Sequence, residues 1–323
     1  MQGVILAAGK GSRLQPITLK RSKAMLPILG KPMVERVMEM MGRNGVDDFI
    51  VVVSPDDRDI IRYFHRESQL EGDVRFVFQS ERLGMANALT CAAPLITSDF
   101  TLSACDNLVL EEDMARLIAT WQTLAPLNGM LTLMPVEQER LGSVGLVEME
   151  GQWVKRIIEK PKPEEATSNI SSLPLYCFSP RILDYLPEVP RSPRGEYEIQ
   201  DAIQMLIDRD GEVRGMMITG RLTVTNAADL LALNRRYLTQ GDGRPQLAPY
   251  TVGPGTRLIT PLRIEDGAMI GENCVLGPNV YIERDCHIGN NVNLCNTILR
   301  GEVVVPDGGA IRLEEATCGE RCR

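Results

Sequence analysis

Residues 3–27 read GVILAAGKGSRLQPITLKRSKAMLP. The first part, Gly3–Ala8, is a short apolar run that meets a glycine, which is typical of a buried strand ending in a loop. Beyond this stretch, apolar residues at helical spacing predict a helix over 32–41, and the run FIVVV predicts a strand over 48–54. A strand, a loop and a helix in this order indicate an alternating α/β fold.

The same alternation continues as far as residue 136. Further strands are predicted over 74–79, 100–104 and 130–136, and helices over 85–96 and 111–124. Strands that alternate with helices form parallel βαβ units and an open sheet. Ligands in such sheets bind at the carboxyl ends of the strands, so functional residues are expected in the loops that follow strands.

The loop after the first predicted strand has residue types that bind phosphate. Small residues let backbone N–H groups approach phosphate oxygens closely. They stand at Ala7, Ala8, Gly9 and Gly11. Arg13 can bond phosphate with both arms of its guanidinium, and Lys23 can place a point charge there. The pattern is neither a P-loop nor the dinucleotide fingerprint, because the third glycine and the Gly-Lys-Ser/Thr sequence are absent. It predicts a polyphosphate site that stabilises charge developing at phosphorus.

The pattern changes after Gly142. Two strands over 145–150 and 152–158 are predicted to form a hairpin. Further elements are predicted as a strand over 175–178, a helix over 199–207, a strand over 213–218 and a helix over 227–237. The stretch TQGDGRPQLAP at 239–249 is rich in glycine, proline and polar residues, which predicts a linker.

Beyond this linker the chain carries a repeat of six residues. An aliphatic residue occupies every sixth position: Val252, Leu258, Ile264, Ile270, Leu276, Ile282, Ile288 and Leu294. A small or apolar residue stands four positions after each of the last six, ending with Ile298. This period is the signature of a hexapeptide-repeat β-helix, whereas a β-sandwich would alternate at a period of two. Three hexapeptides form one triangular coil, so eight repeats predict between two and three coils.

The bulk composition excludes several classes of protein. The 323 residues, 44% of them hydrophobic, are enough for one large domain and a small one. A formal net charge of -8 argues against a general nucleic-acid binder, which would carry a basic surface. No apolar run approaches the roughly 20 residues of a membrane span. The first predicted strand begins almost at Met1, so we expect no signal peptide. These observations predict a cytoplasmic protein without nucleic-acid or membrane partners.

The cysteines are expected to be reduced in such a protein. The chain has 8 cysteines and shows no signal segment. Cys318 and Cys322 in the C-terminal tail could bind metal or oxidise. The alternative, a solvated tail with two incidental thiols, is favoured because zinc sites usually need four ligands.

Residues 3–27 as a whole closely resemble the signature of the sugar-1-phosphate nucleotidylyltransferase family. That signature is Leu-Ala-Ala-Gly-x-Gly-Thr-Arg-Leu with Lys and Pro downstream, and Ser12 stands here where Thr is usual. The resemblance covers nearly all of the chain. It implies transfer of a nucleoside monophosphate from a nucleoside triphosphate to a sugar 1-phosphate, with release of pyrophosphate.

The resemblance also implies a fold and a domain order. The fold is α/β, with an open mixed, mainly parallel sheet flanked by helices in a Rossmann-like nucleotidyltransferase domain, and a short C-terminal left-handed β-helix. The expected boundaries are 1–238 for the nucleotidyltransferase domain, 239–250 for the linker, 251–305 for the β-helix and 306–323 for the tail.

On the nucleotide side, the resemblance implies Arg13 and Lys23 as catalytic cations. The implied nucleotide-binding residues are Leu6, Ala7, Ala8, Gly9, Gly11, Gln79 and Gly84. Gln79 lies in QSERLGMA, which matches the segment that holds the nucleobase. A side-chain amide offers a donor and an acceptor, which suits the imide edge of uracil or thymine and indicates UTP or dTTP. Met85 departs from the usual Thr or Ala, so the base preference stays open.

On the metal side, Asp106 in LSACDN matches the metal-binding aspartate of the family at the end of a strand. A carboxylate there suits Mg²⁺, which takes one or two protein ligands plus phosphates and waters. Asn226 resembles the asparagine version of the second metal position, found in uridylyltransferases that use N-acetylglucosamine 1-phosphate. A helix N-cap is the alternative role for Asn226, and both roles are compatible. Asn107 is either a further ligand or a structural residue.

On the sugar side, the resemblance implies Gly145, Glu159, Lys160 and Ser172. Glu159 would accept hydrogen bonds from sugar hydroxyls, and Lys160 would approach the sugar phosphate. Pro174 departs from the family, because the matching stretch normally carries Thr-Gly. Proline fixes φ and removes a backbone donor, so a reshaped sugar pocket is expected.

Two other functions remain open from the sequence. The first is a regulatory or scaffold subunit without catalysis, against which Arg13, Lys23 and Asp106 stand. The second is acyl transfer by the β-helix, for which His287 is the only histidine in the repeat. Short β-helices more often build contacts between subunits, so we expect a homo-oligomer, a dimer or a trimer.

Overall fold

The structure is a computed structural model that describes residues 1–19, 21–124, 126–242, 249–301 and 303–312. The side chains of Arg13 and of residues 241–242 and 311–312 are not part of this description. The described chain forms two compact units. The first comprises Met1–Ser12, Thr18–Leu26 and Met33–Thr223. The second comprises Arg13–Ile17, Pro27–Pro32 and the residues from Val224 on.

Short strands and six α-helices make up the described elements. The strands are β1 (Gln2–Leu6), β2 (Pro27–Ile28), β3 (Lys31–Pro32), β4 (Asp48–Val53), β5 (Asp73–Phe78), β6 (Phe100–Ala104), β7 (Leu108–Val109), β8 (Gly129–Pro135), β9 (Gly145–Glu150), β10 (Trp153–Glu159), β11 (Ile170–Phe178), β12 (Val213–Met217), β13 (Arg221–Leu222), β14 (Thr251–Val252), β15 (Arg257–Leu258), β16 (Leu262–Ile264), β17 (Met269–Ile270), β18 (Val275–Leu276), β19 (Val280–Ile282), β20 (His287–Ile288), β21 (Asn293–Cys295), β22 (Thr297–Leu299), β23 (Val304–Val305) and β24 (Ala310–Arg312). The helices are α1 (Met33–Gly42), α2 (Arg58–Arg66), α3 (Met85–Ala92), α4 (Glu111–Thr123), α5 (Ile199–Arg209) and α6 (Ala227–Tyr237).

Nine of the described strands form the sheet of the first unit, in the order β5-β4-β1-β6-β11-β8-β12-β10-β9. Pairing is parallel from β5 to β6 and between β8 and β12. The four other neighbouring pairs are antiparallel, because β9 and β10 form a hairpin and β11 runs opposite to both of its neighbours. The strand β9 also pairs with β11, antiparallel, so the sheet contains both kinds of pair and the predicted mixed α/β class is confirmed.

The core of the first unit explains why the strands form where they do. Apolar residues of the central strands, such as Val4 and Leu102, pack with α3 and α5 in one buried cluster. Burial of one such side chain contributes roughly 1.5–3 kcal/mol. In the resulting parallel register Leu6 lies beside Val52 on one side and Ala104 on the other. The loops that follow β1, β4 and β6 therefore start at the same edge of the sheet.

The second unit contains a β-helix whose strands lie on three faces. The faces are β14-β17-β20-β23, β15-β18-β21-β24 and β16-β19-β22, all parallel. Leu258 pairs with Leu276, and Leu276 with Leu294, one coil further along each time. The aliphatic residues of the repeat from Ile264 to Leu294 fill the interior, whereas Val252 in the first coil is exposed.

The β-helix is longer than the unbroken period predicts. Ile282 pairs with Leu299, which lies one residue short of the expected spacing. Asn296, with φ 49, makes the corner before this strand. The repeat then resumes, so β22 completes the third coil and β23 and β24 begin a fourth. Ile298 was expected inside the coil, but the buried position belongs to Leu299.

One further segment, the hairpin of β2 and β3, packs within the second unit. The hairpin of β2 and β3 carries the turn Leu29-Gly30, where the Leu29 N–H donates to Asn234 of α6 at 3.0 Å. The Gly30 N–H donates to the Tyr281 hydroxyl at 2.9 Å. Gly30 needs its φ of 77, and a Cβ there would lie 2.3 Å from a Glu265 carboxylate oxygen. The predicted linker falls partly outside the described residues, and the four domain boundaries stay predictions.

Candidate active site

The loops after β1 and β6 begin side by side. The Cys105 N–H donates to the Leu6 carbonyl at 3.1 Å, which joins the two strand ends. Residues 7–11, called the phosphate loop below, therefore start next to Asp106. Burial, and the nearby Asp106 carboxylate, raise the pKa of the Cys105 thiol to about 12. Cys105 is consequently a packing residue, since a thiol with this pKa forms no nucleophilic thiolate near neutral pH.

Not every expected donor of the phosphate loop is available. The Ala7 N–H donates to the Val52 carbonyl at 2.8 Å, so it extends the sheet and is not free for phosphate. The Leu6 carbonyl is likewise occupied by Cys105. In the described part of the chain, the N–H groups of Gly9 and Gly11 donate to no protein group. The donors of the loop therefore lie beyond Ala7.

Two glycines of the phosphate loop, Gly9 and Gly11, differ in what surrounds them. Gly11 has φ 63, and a Cβ there would lie 2.9 Å from the Cβ of Lys23. At Gly9 a Cβ would meet no atom within 4 Å. Gly11 therefore serves the packing of the protein itself, whereas the space beside Gly9 is open to a ligand.

Lys23 and Asp106 form an ion pair between the Lys23 Nζ and the Asp106 Oδ2. Lys23 opens a short 3-10 turn, Lys23–Met25, and Asp106 follows β6. Both side chains keep some exposure, 19% and 17%. Among the described residues the other carboxylate oxygen of Asp106 accepts no hydrogen bond. The structure thus brings together a predicted cation and the predicted metal ligand, with one oxygen left over.

Gln79 follows the edge strand β5 and is 4% exposed. Its Nε2 donates to the Gly84 carbonyl at 3.1 Å and to the Asn87 Oδ1 at 2.8 Å. Both amide hydrogens are therefore used inside the protein. The acceptor Oε1 bonds no described residue, so Gln79 offers a ligand an acceptor only.

Gly84 holds the turn before α3 against a second segment. It has φ 98, and a Cβ there would lie 2.5 Å from the Tyr197 carbonyl oxygen. The Tyr197 carbonyl accepts from the Ala86 N–H at 3.0 Å, and the Tyr197 N–H donates to Leu83 at 2.7 Å. These bonds need close backbone approach, which only glycine allows here.

Arg82 is a residue of this region that the sequence did not single out. Its Nε donates to the Ala8 carbonyl at 2.7 Å. Its guanidinium lies 3.8 Å from the Asp57 carboxylate and 4.0 Å from that of Asp56. Arg82 thus ties together the loops after β1, β4 and β5. It lies inside the QSERLGMA segment, but no spacing distinguishes it there from a solvated arginine.

Three of the four residues predicted to bind the sugar, Gly145, Glu159 and Lys160, lie together at the carboxyl end of β10. Gly145 pairs with Glu159 across the hairpin, and a Cβ on Gly145 would lie 2.9 Å from the Glu159 Oε2. The Glu159 Oε1 lies 3.5 Å from the Lys160 ammonium and 3.7 Å from the Arg194 guanidinium. Burial raises the pKa of the Glu159 carboxyl, and Lys160 opposes this. Lys160 itself has φ 45, in the left-handed region.

Ser172 lies at a bulge in β11. Its hydroxyl and the Tyr176 hydroxyl are 2.7 Å apart and bonded to each other. The register against β8 shifts between Ser172 and Tyr176, so Pro174 sits outside that ladder. The donor that proline lacks is therefore not needed for pairing with β8. Burial raises the pKa of the Tyr176 hydroxyl, which stays protonated.

The other metal candidates occupy different surroundings. Asn226, in the second unit, is the N-cap of α6, and its Oδ1 accepts from the Asp229 N–H at 2.9 Å. The capping alternative is thus observed, while a role toward metal stays a prediction. Asn107 is fully buried, and no described residue bonds its amide. Burial removes Asn107 from contact with a solvated ion. Arg13 begins a segment of the second unit, and its side chain lies outside the described parts.

Two family models match this chain. The nucleotidyl transferase model matches residues 2–239, and the bacterial transferase hexapeptide model, with six repeats, matches residues 261–297. The chain belongs to the nucleotidyl transferase family. Within the described residues, no helix is both long and apolar enough to cross a membrane.

Three similar proteins illustrate the resemblance. The bifunctional protein GlmU of Methanococcus maripaludis is 32% identical over 241 residues, which are 74% of this chain and 55% of that protein. The glucose-1-phosphate thymidylyltransferase of Streptomyces griseus is 28% identical over 339 residues, or 99% of this chain and 92% of that protein. A crystal structure of UDP-glucose pyrophosphorylase complexed with UDP-glucose shares the fold, with a TM-score of 0.66 and 22% identity over 74% of this chain and 98% of that one.

Proposed function

We propose that the protein transfers a nucleoside monophosphate from UTP or dTTP to a sugar 1-phosphate and releases pyrophosphate. The observation that carries this proposal is the Lys23–Asp106 pair next to the open donors of the phosphate loop. A cation, a carboxylate with a spare oxygen and free N–H groups at one strand edge suit a triphosphate. The names of the thymidylyltransferase and pyrophosphorylase relatives describe activities of the same kind.

The proposed reaction is an in-line displacement at the α-phosphorus. An oxygen of the sugar phosphate attacks, the bond from the α-phosphorus to the bridging oxygen breaks, and pyrophosphate leaves with that oxygen. The attacking phosphate is already ionised, so the protein needs no general base. Lys23 stabilises the negative charge that develops at the phosphorus, and the N–H groups of Gly9 and Gly11 hold the phosphates in place. Arg13 is proposed as the second catalytic cation.

Mg²⁺ is the proposed cofactor, and the donor set fits it. Asp106 presents one carboxylate oxygen that no described residue bonds. Among the described residues no group of three or more His, Cys, Asp or Glu could hold a metal by itself. Mg²⁺ is suited to such a site, because it takes one or two carboxylates together with phosphates and waters. Bound there, it would neutralise charge on the phosphates. We propose Asp106 and Asn226 as its protein ligands.

The one free atom of Gln79 bears on which base the site accepts. Because its two amide hydrogens are used inside the protein, only its Oε1 can meet the base. An acceptor can pair with the N3–H of uracil or thymine, and also with the amino group of adenine or cytosine or the N1–H of guanine. The proposal of UTP or dTTP therefore rests on the resemblance of the QSERLGMA segment to the segment that holds the nucleobase, since the amide donor expected for the imide edge is used inside the protein. We propose that the base packs against the turn at Gly84, whose position is fixed by its close approach to the Tyr197 backbone.

Gly145, Glu159, Lys160 and Ser172 are proposed to bind the sugar 1-phosphate. Glu159 offers carboxylate oxygens to sugar hydroxyls, and Gly145 has no side chain that would crowd that carboxylate. Lys160 is proposed to approach the phosphate. The hydroxyl of Ser172 already bonds Tyr176, so a contact of Ser172 with sugar uses the hydrogen or a lone pair that this bond leaves free.

The test is pyrophosphate release over a matrix of five nucleoside triphosphates and a panel of sugar 1-phosphates, with Mg²⁺. Glucose 1-phosphate is the first acceptor to try, because it appears in the name of a relative. We expect release that needs both substrates and is fastest with UTP or dTTP. If neither UTP nor dTTP gave pyrophosphate with any of the sugar 1-phosphates, the proposal would be wrong.

We also propose a homo-oligomer, a dimer or trimer. One β-helix sheet carries two exposed apolar side chains at outward positions, Met269 and Val304, on either side of His287, and Val304 is 71% exposed. Apolar faces of this kind cover one another in assemblies. Light scattering at micromolar concentration tests this, and the mass of a single chain would contradict it.

A further inference from the structure

Arg221 lies in the first unit near Asp106 and is not explained by the roles assigned above. It begins β13, which pairs with β7, the short strand directly after Asp106 and Asn107. The register places Arg221 opposite Val109. The Asp106 carboxylate, the Tyr176 hydroxyl and the Arg140 cation all lie within electrostatic range of its guanidinium.

The guanidinium of Arg221 has no partner in the described part of the chain. No hydrogen bond or ion pair joins it to a described residue, and its Nε is closed to solvent. Burial lowers the pKa of the Arg221 guanidinium, but arginine keeps its charge in proteins. A charged group with five donors, largely buried and unbonded, is costly unless an anion binds it.

The backbone before Arg221 is held firmly. Asp113 of α4 is buried, and its carboxylate accepts from the Thr219 N–H at 2.8 Å and from the Gly220 N–H at 3.4 Å. The Thr219 hydroxyl adds a bond of 3.3 Å. The two residues that precede Arg221 are therefore fixed to a helix, which limits the positions of its side chain. A held arginine without a protein partner is typical of a ligand contact.

We infer that Arg221 binds the phosphate group of the sugar 1-phosphate. This inference rests on the proposed function and adds to it a second cation for the attacking phosphate. The partners of Arg221 favour the sugar side, because Tyr176 bonds Ser172 and Arg140 lies in the loop before Gly145. The guanidinium fork can bond two phosphate oxygens at once and align the attacking one.

The decisive experiment measures the KM for each substrate separately. The variants are Arg221→Gln, which keeps hydrogen-bonding atoms without charge, and Arg221→Lys, which keeps charge without the fork. Arg181→Gln is the matched control, because Arg181 is exposed and pairs with Asp210 at the surface. We expect Arg221→Gln to raise the KM for the sugar 1-phosphate on the order of 10-fold or more. The KM for the nucleotide should change by less than about 2-fold, Arg221→Lys should lie between, and the control should match the wild type.

An equal rise in both KM values, or a rise for the nucleotide alone, would overturn the inference. Calorimetric titration of glucose 1-phosphate into wild type and variants gives a second readout that needs no turnover. Weaker binding to both Arg221 variants supports the inference, and equal binding, or none to the wild type, contradicts it. Failure of the proposed function looks different, since the wild type itself would then release no pyrophosphate. If Arg221→Gln does not fold, the Arg221→Lys variant decides the matter by the same two readouts.

Discussion

The nucleotide side and the sugar side of the candidate site differ in where their polar groups are directed. On the nucleotide side Lys23 and Asp106 pair with each other, but the N–H groups of Gly9 and Gly11, the Oε1 of Gln79 and the other oxygen of Asp106 meet no described residue. On the sugar side, Ser172 bonds Tyr176 and Glu159 lies among cations, so these groups mostly meet each other.

This difference has a physical consequence for recognition. Groups that are held in place and unbonded bind a ligand without first breaking a contact, as preorganised sites do. Groups that already bond each other must exchange partners, so their net contribution is smaller. We therefore expect substitutions on the nucleotide side to cost more activity than those on the sugar side, with Arg221 as the exception.

The largest effect should follow from Asp106→Asn and Lys23→Ala. Each removes a charge that acts on the reacting phosphates, so we expect turnover to fall by about 10²-fold or more. Initial rates of pyrophosphate release measure this. Lys155→Ala is the control, because Lys155 is exposed and pairs only with Glu150. Near-full activity of Lys23→Ala would contradict the claim that the charged groups of the nucleotide side contribute most to turnover.

Glycine substitutions separate packing from ligand space. Gly84→Ala places a Cβ against the Tyr197 backbone at a left-handed φ, so we expect roughly 1–3 kcal/mol lower stability and a higher nucleotide KM. In Gly9→Ala the added Cβ meets no protein atom within 4 Å, so the unfolding midpoint should not fall below that of the wild type. Its nucleotide KM should rise, because the Cβ takes up space that we assign to the phosphates. Gly42→Ala, at an open helix end with no neighbour within 4 Å, should change neither. If Gly9→Ala kept its nucleotide KM, the space beside Gly9 would not hold phosphate.

Gln79→Ala should lower the preference for UTP or dTTP over ATP by about 10-fold, since one buried hydrogen bond to the base is lost. The ratio of kcat/KM values for the nucleotides measures it. Asn87→Ala serves as comparison, because it frees one hydrogen of Gln79 without removing its oxygen. An unchanged preference in Gln79→Ala would assign base recognition elsewhere.

Tyr176→Phe should have a modest effect on the sugar side. The Ser172 hydroxyl loses its partner, which costs about 1 kcal/mol of stability, and the freed hydroxyl changes the sugar 1-phosphate KM only a few-fold. Denaturant unfolding and the two KM values check this. A loss of turnover as large as that of Asp106→Asn would reverse the ranking of the two sides.

The smallest effect concerns the pH dependence of Glu159. Burial raises the pKa of its carboxyl, so it takes up a proton at higher pH than an exposed glutamate. Only the carboxylate accepts bonds at both oxygens, so the sugar 1-phosphate KM should rise as pH falls toward the raised pKa. Between the ordinary and the raised pKa the folded chain binds more protons than the unfolded one, so stability should fall as pH rises through that window. Glu159→Gln should remove both dependences, and a wild-type KM that stays flat with pH would contradict this role.

Local patterns in the sequence predict much of this fold. The strand over 100–104 and the helix over 227–237 appear with the predicted bounds, because each has a clear apolar period and a clear start. Helix α2 begins at Arg58, after a turn at residues 54–57. The last coils of the β-helix were missed because one absent residue before Leu299 breaks the period.

The candidate site shows a similar division. Lys23 and Asp106 stand out in the sequence because their positions after strands fit a motif, and the structure pairs them. The Ala7 N–H is bonded by Val52 of the neighbouring strand β4, which lies 45 residues further along the chain. The residues around Ala7 give no sign of this pairing. Arg82 and Arg221 become visible only through what lies around them in space. Contacts that arise from tertiary packing are therefore the part that residue patterns leave out.

The most direct test of the central claim is ³¹P NMR of a reaction that contains the protein, Mg²⁺, UTP or dTTP, and a sugar 1-phosphate. The account predicts pyrophosphate and a nucleotide-sugar in equal amounts, formed only when both substrates are present, and lost in Asp106→Asn. Release of phosphate or pyrophosphate without the sugar phosphate, or full activity of Asp106→Asn, would contradict it.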